Sequence, residues 1–358
     1  MGTRGVPARY GGFETAAEEI GQRLVLAGHE VTVYCRNPGQ TQTEHLGMRL
    51  VNLPALRARS LETLSHTLLS ILHVIRSRPD ALVLFNAANA PFLPLLKAAH
   101  LPTIVHLDGL EWKRAKWTGA GVRYYRWAER FSVQRADRVI ADAQGIVAHV
   151  AANYGRDSVY IPYGAPIIAP GSDLLGRLGL KPRQFHLVVA RLEPENHVEL
   201  IVEGYVRSST QLPLVVIGEA RYGYQYVERV RKAAGGDSRI RFLGALWDQD
   251  LLDQLYAWNA SYLHGHSVGG TNPSLLRALG AGTPVSAFDV VFNREVTGGH
   301  ALFFSDVAGV TSAVEAVERD QLGTESRAEM GRKHVATHYR WDAVADSYEE
   351  LCFSVRGS

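Results

Sequence analysis

Cysteine is nearly absent from this sequence. The 358 residues include two, Cys35 and Cys352, too far apart in the chain to suggest a disulfide framework or the paired spacing of a zinc site. That usage fits a reducing compartment, and the cytoplasm is the expected location. Long apolar runs are missing as well. The most apolar region, residues 81–107, is interrupted by Asn86, Asn89, Pro91, Pro94, Lys97 and Pro102, so it reads as two strands and a helix rather than a membrane span. Met1-Gly2-Thr3-Arg4-Gly5 has none of the apolar character of a secretory signal. There is no large excess of one charge, the formal net charge being +2. The charge is nevertheless uneven: residues 1–165 carry 19 Lys and Arg against 13 Asp and Glu, and the remainder 19 against 23. This split argues against general nucleic-acid binding and allows one basic face on the first half. Internal repeats and low-complexity tracts are absent.

What the sequence does have is alternation. Short apolar runs such as Ala81–Phe85, Thr103–His106 and Arg138–Ala141 are separated by helical spacing over Leu61–Arg76, Pro91–Ala99, Val122–Gln134 and Ile146–Tyr154. Strands alternating with helices imply parallel sheets covered on both faces. Pro162-Tyr163-Gly164-Ala165-Pro166 breaks the pattern and reads as a linker. The alternation then restarts, with strands near His186–Ala190, Pro213–Ile217, Ile240–Leu243, Ala260–Leu263, Pro284–Ala287 and Ala301–Phe304. The expected organisation is one α/β domain over residues 1–163 and a second over 164–340. A final helix, residues 341–358, packs back on the first domain. Two such domains facing each other enclose a cleft, the usual place for a ligand. One element is missing: the glycine-rich turn Gly2-Thr3-Arg4-Gly5 should follow a central strand, yet only Met1 precedes it. Either the chain starts upstream, which a gap at that point in the sheet would support, or the sheet is rearranged.

The chain is organised around residues 264–276, His264-Gly265-His266-Ser267-Val268-Gly269-Gly270-Thr271-Asn272-Pro273-Ser274-Leu275-Leu276. A strand feeds this stretch and a helix follows it. Asn272 suits the N-cap and Pro273 the first helical position. Gly269 and Gly270 permit positive φ and let a ligand approach the backbone. Amide groups and the helix dipole then converge on one point, an anion site suited to phosphate. A capped helix after a glycine turn, without any ligand, has the same local sequence.

Four blocks together resemble the retaining, nucleotide-sugar-dependent glycosyltransferases of family 4. They are residues 2–15, from Gly2 through Tyr10-Gly11-Gly12-Phe13-Glu14-Thr15; Asp108-Gly109-Leu110-Glu111-Trp112-Lys113-Arg114; Ala190-Arg191-Leu192-Glu193-Pro194-Glu195-Asn196; and residues 264–276. Phe292-Asn293-Arg294-Glu295-Val296 adds a fifth. Within that family the blocks are similar to the bacterial rhamnosyltransferase-like branch that builds capsule and cell-wall polysaccharides. The resemblance implies the GT-B fold: two Rossmann-like domains facing a central cleft, here with the first strand of the N-terminal domain missing. It implies a nucleotide-diphosphate sugar as donor, dTDP-rhamnose in this branch, and a saccharide acceptor, expected to be lipid-linked.

The same resemblance assigns residues. Gly11, Gly12, Arg191, Asn196, Gly269, Gly270, Thr271, Asn272, Ser274, Leu275 and Arg277 fall where the family binds the donor nucleotide. Asp108 and His106 fall where it meets the transferred sugar, and with Arg191 they form the expected catalytic group. Tyr10, Phe13, Glu14, Trp112 and Lys113 fall on the acceptor side. The departing diphosphate can be stabilised without a metal, by a helix end and the arginine fork of Arg191, so no metal or other cofactor is expected. Front-face attack needs no protein nucleophile, and none is assigned.

Two positions depart from the family pattern. Asn196 replaces a lysine five residues after the arginine, which this branch tolerates. Arg277 stands where most of the family has a carboxylate for the nucleotide ribose, and a guanidinium accepts no hydrogen bonds. If the pattern holds, Arg277→Glu raises donor affinity. Trp112 to Trp117, with Arg123, Tyr124, Tyr125, Arg126, Trp127 and Arg130, mixes cations with aromatics. This suits either an anionic membrane surface at the inner face or an ordinary solvated helix. Asp248-Gln249-Asp250 reads as the acidic start of a helix, and the His264/His266 pair lacks a third zinc ligand. The rival reading is a catalytically silent module of the same fold that binds a sugar nucleotide or a partner enzyme. A nucleotide-sugar epimerase fits the first and second blocks less well, and no dinucleotide fingerprint supports a dehydrogenase.

Overall fold

A computed structural model describes every residue except 9, 10, 37, 38, 40, 57–61, 108, 221–223, 357 and 358. The chain forms two compact units, residues 1–164 with 341–358, and residues 165–340.

In the first unit α1 (Gly12–Leu26) precedes β1 (Thr32–Cys35), β2 (Glu44–His45) and β3 (Met48–Asn52). Next come α2 (Glu62–Ser77), β4 (Leu82–Phe85), a 3₁₀ turn over Ala87–Phe92 and α3 (Leu93–Ala98). The unit continues through β5 (Thr103–His106), α4 (Ala120–Arg135), β6 (Arg138–Ala141), α5 (Gln144–Tyr154) and β7 (Val159–Tyr160). The strands form two separate sheets, β1-β3-β2 and β4-β5-β6-β7. All pairs are parallel except the short β2–β3 hairpin. Periodicity does not reveal that hairpin, because β2 is only two residues long. The expected gap lies between β1 and β4. The first residues of the chain run there: the Met1 amine donates to Val83 O, Met1 O accepts from Phe85 N–H, and Arg4 O accepts from Arg36 N–H. Gly2 and Gly5 have φ of +92° and +98° and no room for a side chain, because Phe85 O and Cys35 crowd them. Val6, Val33, Cys35, Met48 and Leu50 form the core beneath the smaller sheet.

The second unit contains β8 (His186–Val189), α6 (Val198–Arg207), β9 (Leu214–Ile217), α7 (Tyr224–Ala234) and β10 (Ile240–Gly244). It continues with α8 (Gln249–Trp258), β11 (Ser261–His264), α9 (Pro273–Gly280), β12 (Val285–Phe288), α10 (Val291–Thr297) and β13 (Leu302–Phe304), then α11 (Val307–Arg319) and α12 (Gln321–His338). One sheet runs β10-β9-β8-β11-β12-β13, every pair parallel. The inner strands β8, β9, β11 and β12 are almost wholly buried, as strands covered on both faces must be. Val188, Val202, Leu214, Val216, Val230 and Phe304 belong to one core cluster of this unit.

The last helix, α13 (Trp341–Val355), returns to the first unit. Trp341 packs so closely on Gly164 that a Cβ there would lie 2.3 Å from the indole. Arg23 pairs with Asp342 at 2.8 Å and His29 with Glu349 at 2.5 Å.

Candidate functional site

The sheet order of the second unit locates a site. β9 and β10 lie on one side of β8, and β11, β12 and β13 on the other. The strand order therefore reverses between β8 and β11, and in an open parallel sheet ligands bind outside the carboxyl ends of the strands at such a switch point. The loops leaving β8 and β11 there are residues 190–197 and 265–272, which hold most of the donor residues named from sequence.

The two loops are clamped together. Ser267 donates through its N–H and its hydroxyl to Glu195 O, at 3.0 and 3.1 Å. His197 Nδ1 lies 2.8 Å from Gly265 O. A Cβ on Gly265 would fall 2.2 Å from Asn196 O, so only glycine allows this approach. Gly269 has a φ of +136°, and a Cβ placed on it would meet nothing within 4 Å. Gly269 and Gly270 are half-buried, leaving the turn open to a ligand. Asn272 caps α9, its Oδ1 accepting from Ser274 N–H at 3.0 Å and from the Ser274 hydroxyl at 2.7 Å. Tyr262 OH donates to Ser274 Oγ at 3.0 Å. The Ser274 side chain is thus engaged within the protein, and the Leu275 side chain is fully buried, so Leu275 offers a ligand only its backbone. Thr271 is buried.

The charged and amide side chains are placed as follows. Arg191 follows β8, its guanidinium 3.4 Å from Glu193 Oε2. Asn196 is buried and its Nδ2 donates to Arg191 O at 2.8 Å, so this side chain shapes the loop. Arg277 lies on α9 with Nε 2.6 Å from Asp253 Oδ1 of α8, a partner that no sequence pattern singles out. Asn293 of α10 donates to His266 O and Phe288 O at 2.9 and 2.8 Å, tying the fifth block to the same loop. His264 is fully buried; burial pushes its imidazole down to about 3, and its ring stacks on that of His266 at 4.4 Å.

In the first unit, Gly11 is the N-cap of α1 with φ +98°, and Gly12 opens the helix. Glu14 Oε1 accepts from Arg4 N–H at 2.8 Å. Burial raises the Glu14 carboxyl above its ordinary range, against the pull of the Arg4 amide and nearby arginines. Phe13 packs edge-on against His106 at 5.3 Å and against Phe85 at 5.2 Å. His106 ends β5, fully buried, with Nδ1 2.6 Å from Tyr348 OH of α13 and Nε2 without a hydrogen-bond partner among the described residues. Burial pushes its imidazole down to about 3. The structure thus brings Phe13, Glu14 and His106 into one region. Tyr10 and Asp108 lie outside the described residues.

Trp112 and Lys113 sit on a 3₁₀ turn, Glu111–Lys113. Trp112 Nε1 donates to Glu129 Oε2 at 3.1 Å, while His149 and Tyr154 reach the other oxygen at 2.7 and 2.6 Å. Lys113 lies 5.5 Å and Arg126 4.4 Å over the Trp112 ring. Glu111 is buried beside Arg114 and Lys116, at 2.5 and 2.7 Å. Burial opposes ionisation, but the two cations outweigh it and hold the carboxyl below its usual range. Part of the basic-aromatic cluster is therefore neutralised from within. The rest lies on α4, where Arg123, Arg126, Trp127, Arg130 and Arg135 are exposed and Trp127 stacks on Phe131 at 5.1 Å. Among the described residues no helix is long and apolar enough to cross a membrane, and no group of three or more His, Cys, Asp or Glu is placed to hold a metal.

Residues 11–164 match the family described as Glycosyl transferase 4-like domain. No curated protein is a significant sequence match. Among solved structures, the sucrose-phosphate synthase of Thermosynechococcus elongatus is similar, with a TM-score of 0.83 at 18% identity over 96% of this chain and 94% of that one. Anabaena HepE in complex with UDP-glucose has a TM-score of 0.79 at 17% identity over 98% of both chains. WaaG, a glycosyltransferase involved in lipopolysaccharide biosynthesis, has a TM-score of 0.71 at 16% identity over 99% of both. The chain has the GT-B fold of these structures.

Proposed function

We propose that the chain is a retaining glycosyltransferase that moves a hexose from a nucleotide-diphosphate donor to a saccharide acceptor. The observation that carries this reading is the switch-point crevice between β8 and β11, where the Gly269–Gly270 turn runs into the Asn272-capped α9. The likeness of the fold to HepE, solved with UDP-glucose, supports a nucleotide sugar as donor. The backbone amides of the turn, the positive end of α9 and Arg191 stabilise the departing diphosphate without a metal. The acceptor oxygen attacks the anomeric carbon on the face that the diphosphate leaves. The bond from that carbon to the phosphate oxygen breaks, and the phosphate oxygen takes the acceptor's proton. His106 Nε2 and Asp108 contact the transferred sugar, Gly11 and Gly12 serve the donor, and Tyr10, Phe13, Glu14, Trp112 and Lys113 serve the acceptor side.

The finer assignment is dTDP-rhamnose as donor and a lipid-linked saccharide as acceptor, in cell-surface polysaccharide synthesis. The protein would work in the cytoplasm, at the inner membrane face. The exposed arginines and Trp127 of α4 support contact with anionic lipid. So do Leu68, Leu69 and Leu72, which α2 exposes while burying His66, Thr67 and Ser70.

Transfer and donor hydrolysis, measured with dTDP-rhamnose and UDP-glucose in the presence and absence of chelator and of lipid vesicles, test the proposal. Turnover that survives chelation supports it. Donor binding without turnover under every condition favours the rival reading, a silent sugar-nucleotide-binding module, which the Arg277 departure motivates. Salt-insensitive or absent sedimentation with anionic vesicles refutes the membrane assignment.

A further inference from the structure

Glu195 stands in the loop after β8, at the same switch point. It is 6% exposed, and neither carboxylate oxygen has a hydrogen-bond partner among the described residues. Its own carbonyl accepts from both the N–H and the hydroxyl of Ser267 in the glycine-rich loop, so its backbone is fixed beside that loop. At the end of the neighbouring strand, His264 Nε2 is a second buried polar atom without a partner among the described residues. Buried polar groups are almost always paired, and a carboxylate removed from water without donors is among the costliest exceptions. Arg277, at the position where a carboxylate would serve a diol, is bound to Asp253 instead.

Resting on the glycosyltransferase reading above, we infer that Glu195 is a donor-binding residue, its carboxylate accepting hydrogen bonds from two adjacent hydroxyls of the nucleotide sugar. The two oxygens of a carboxylate, both acceptors, match the two donors of a vicinal diol. A cation is a poorer occupant, because among the described residues no second and third carboxylate or imidazole ligand accompanies Glu195. The diol belongs to the ribose or to the hexose, and both present the same chemistry.

Calorimetry with Glu195→Gln and Glu195→Leu separates these cases, using UDP, dTDP, UDP-glucose and dTDP-rhamnose as probes. Both variants should melt no lower than the parent protein without ligand, since each removes an unsatisfied buried carboxylate. Binding of the diol-bearing ligands should weaken about tenfold to a hundredfold, the range expected for lost hydrogen bonds to a charged group. Weakening of UDP but not dTDP identifies the ribose diol, because dTDP lacks the 2′-hydroxyl. Weakening confined to the two sugar-bearing ligands identifies the hexose. Variants that bind all four as the parent does overturn the inference alone. Variants that melt several degrees lower and lose all four ligands equally show a structural role and also overturn it. A parent protein that binds none of the four overturns the glycosyltransferase reading and this inference with it.

Discussion

Arg277 Nε of α9 and Asp253 Oδ1 of α8 lie 2.6 Å apart. The guanidinium that departs from the family pattern is therefore part of an ion pair linking two helices beside the candidate donor crevice. Both side chains are mostly buried, at 25% and 18% exposure. Arg277→Glu would set two carboxylates against each other. The expected loss is about 2 kcal/mol, between the exposed and buried limits for such pairs, read as a fall in Tm. Asp253→Asn in the same chain should restore most of it. In that double variant the restored carboxylate should raise UDP affinity above that of Asp253→Asn alone; calorimetry showing equal or weaker binding would refute the ribose-anchor role of the position.

Asn272→Ala removes the acceptor for both Ser274 N–H and the Ser274 hydroxyl. A lost N-cap costs about 1 kcal/mol, and Asn272→Asp should retain most of it. Chemical denaturation measures the stability change. Because the cap sets the turn proposed to meet the diphosphate, Asn272→Ala should also weaken nucleotide binding more than its small stability loss explains.

Gly265→Ala places a methyl group 2.2 Å from Asn196 O. Backbone cannot move aside as a side chain can, so the cost should fall at about 1–3 kcal/mol, the range for overpacking. Gly269→Ala meets no such clash, and its effect comes only from the φ of +136°. Nucleotide binding should fall in both, with the larger stability loss in Gly265→Ala; the reverse order in a denaturation series would contradict the clamped-loop geometry.

Tyr348→Phe strips His106 Nδ1 of its hydroxyl partner, leaving a fully buried ring with neither nitrogen paired among the described residues. The penalty should be about 1–3 kcal/mol. If His106 contacts the transferred sugar, kcat should fall while nucleotide affinity, which the proposal assigns mainly to the second unit, stays unchanged. A loss in Tm with full turnover would assign the pair to structure alone.

His106 and His264 make stability depend on pH in a definite direction. Burial sets both near 3 in the folded chain, below the usual imidazole value of about 6.5. Above that value the rings are neutral in both states and their contribution to stability is complete. As pH falls from about 6.5 toward 3, the unfolded chain binds protons that the folded chain refuses, and stability drops by up to about 1.4 kcal/mol per pH unit for each ring. His264→Asn should flatten the slope of unfolding free energy between about pH 4 and 6 by about one proton; an unchanged slope would show that the ring is not held neutral.

The sequence alone determined the class of the fold. Apolar runs alternating with helical spacing admit few arrangements besides parallel sheets with helices on both faces, and the Pro162–Pro166 interruption marks where the pattern restarts. It also determined the glycine turn and the cap at Asn272, because φ above zero and N-capping are demands that one or two neighbouring residues meet by themselves. Tertiary structure decided the rest. Strand order set the switch point between β8 and β11. Only folding brought Asp253 to Arg277, Tyr348 to His106 and Glu129 to Trp112, and it left Glu195 buried without a partner among the described residues. Periodicity reports which face of an element is buried, but not which distant residue waits there, since hydrogen bonds and ion pairs act only over the few ångströms that the packed chain closes.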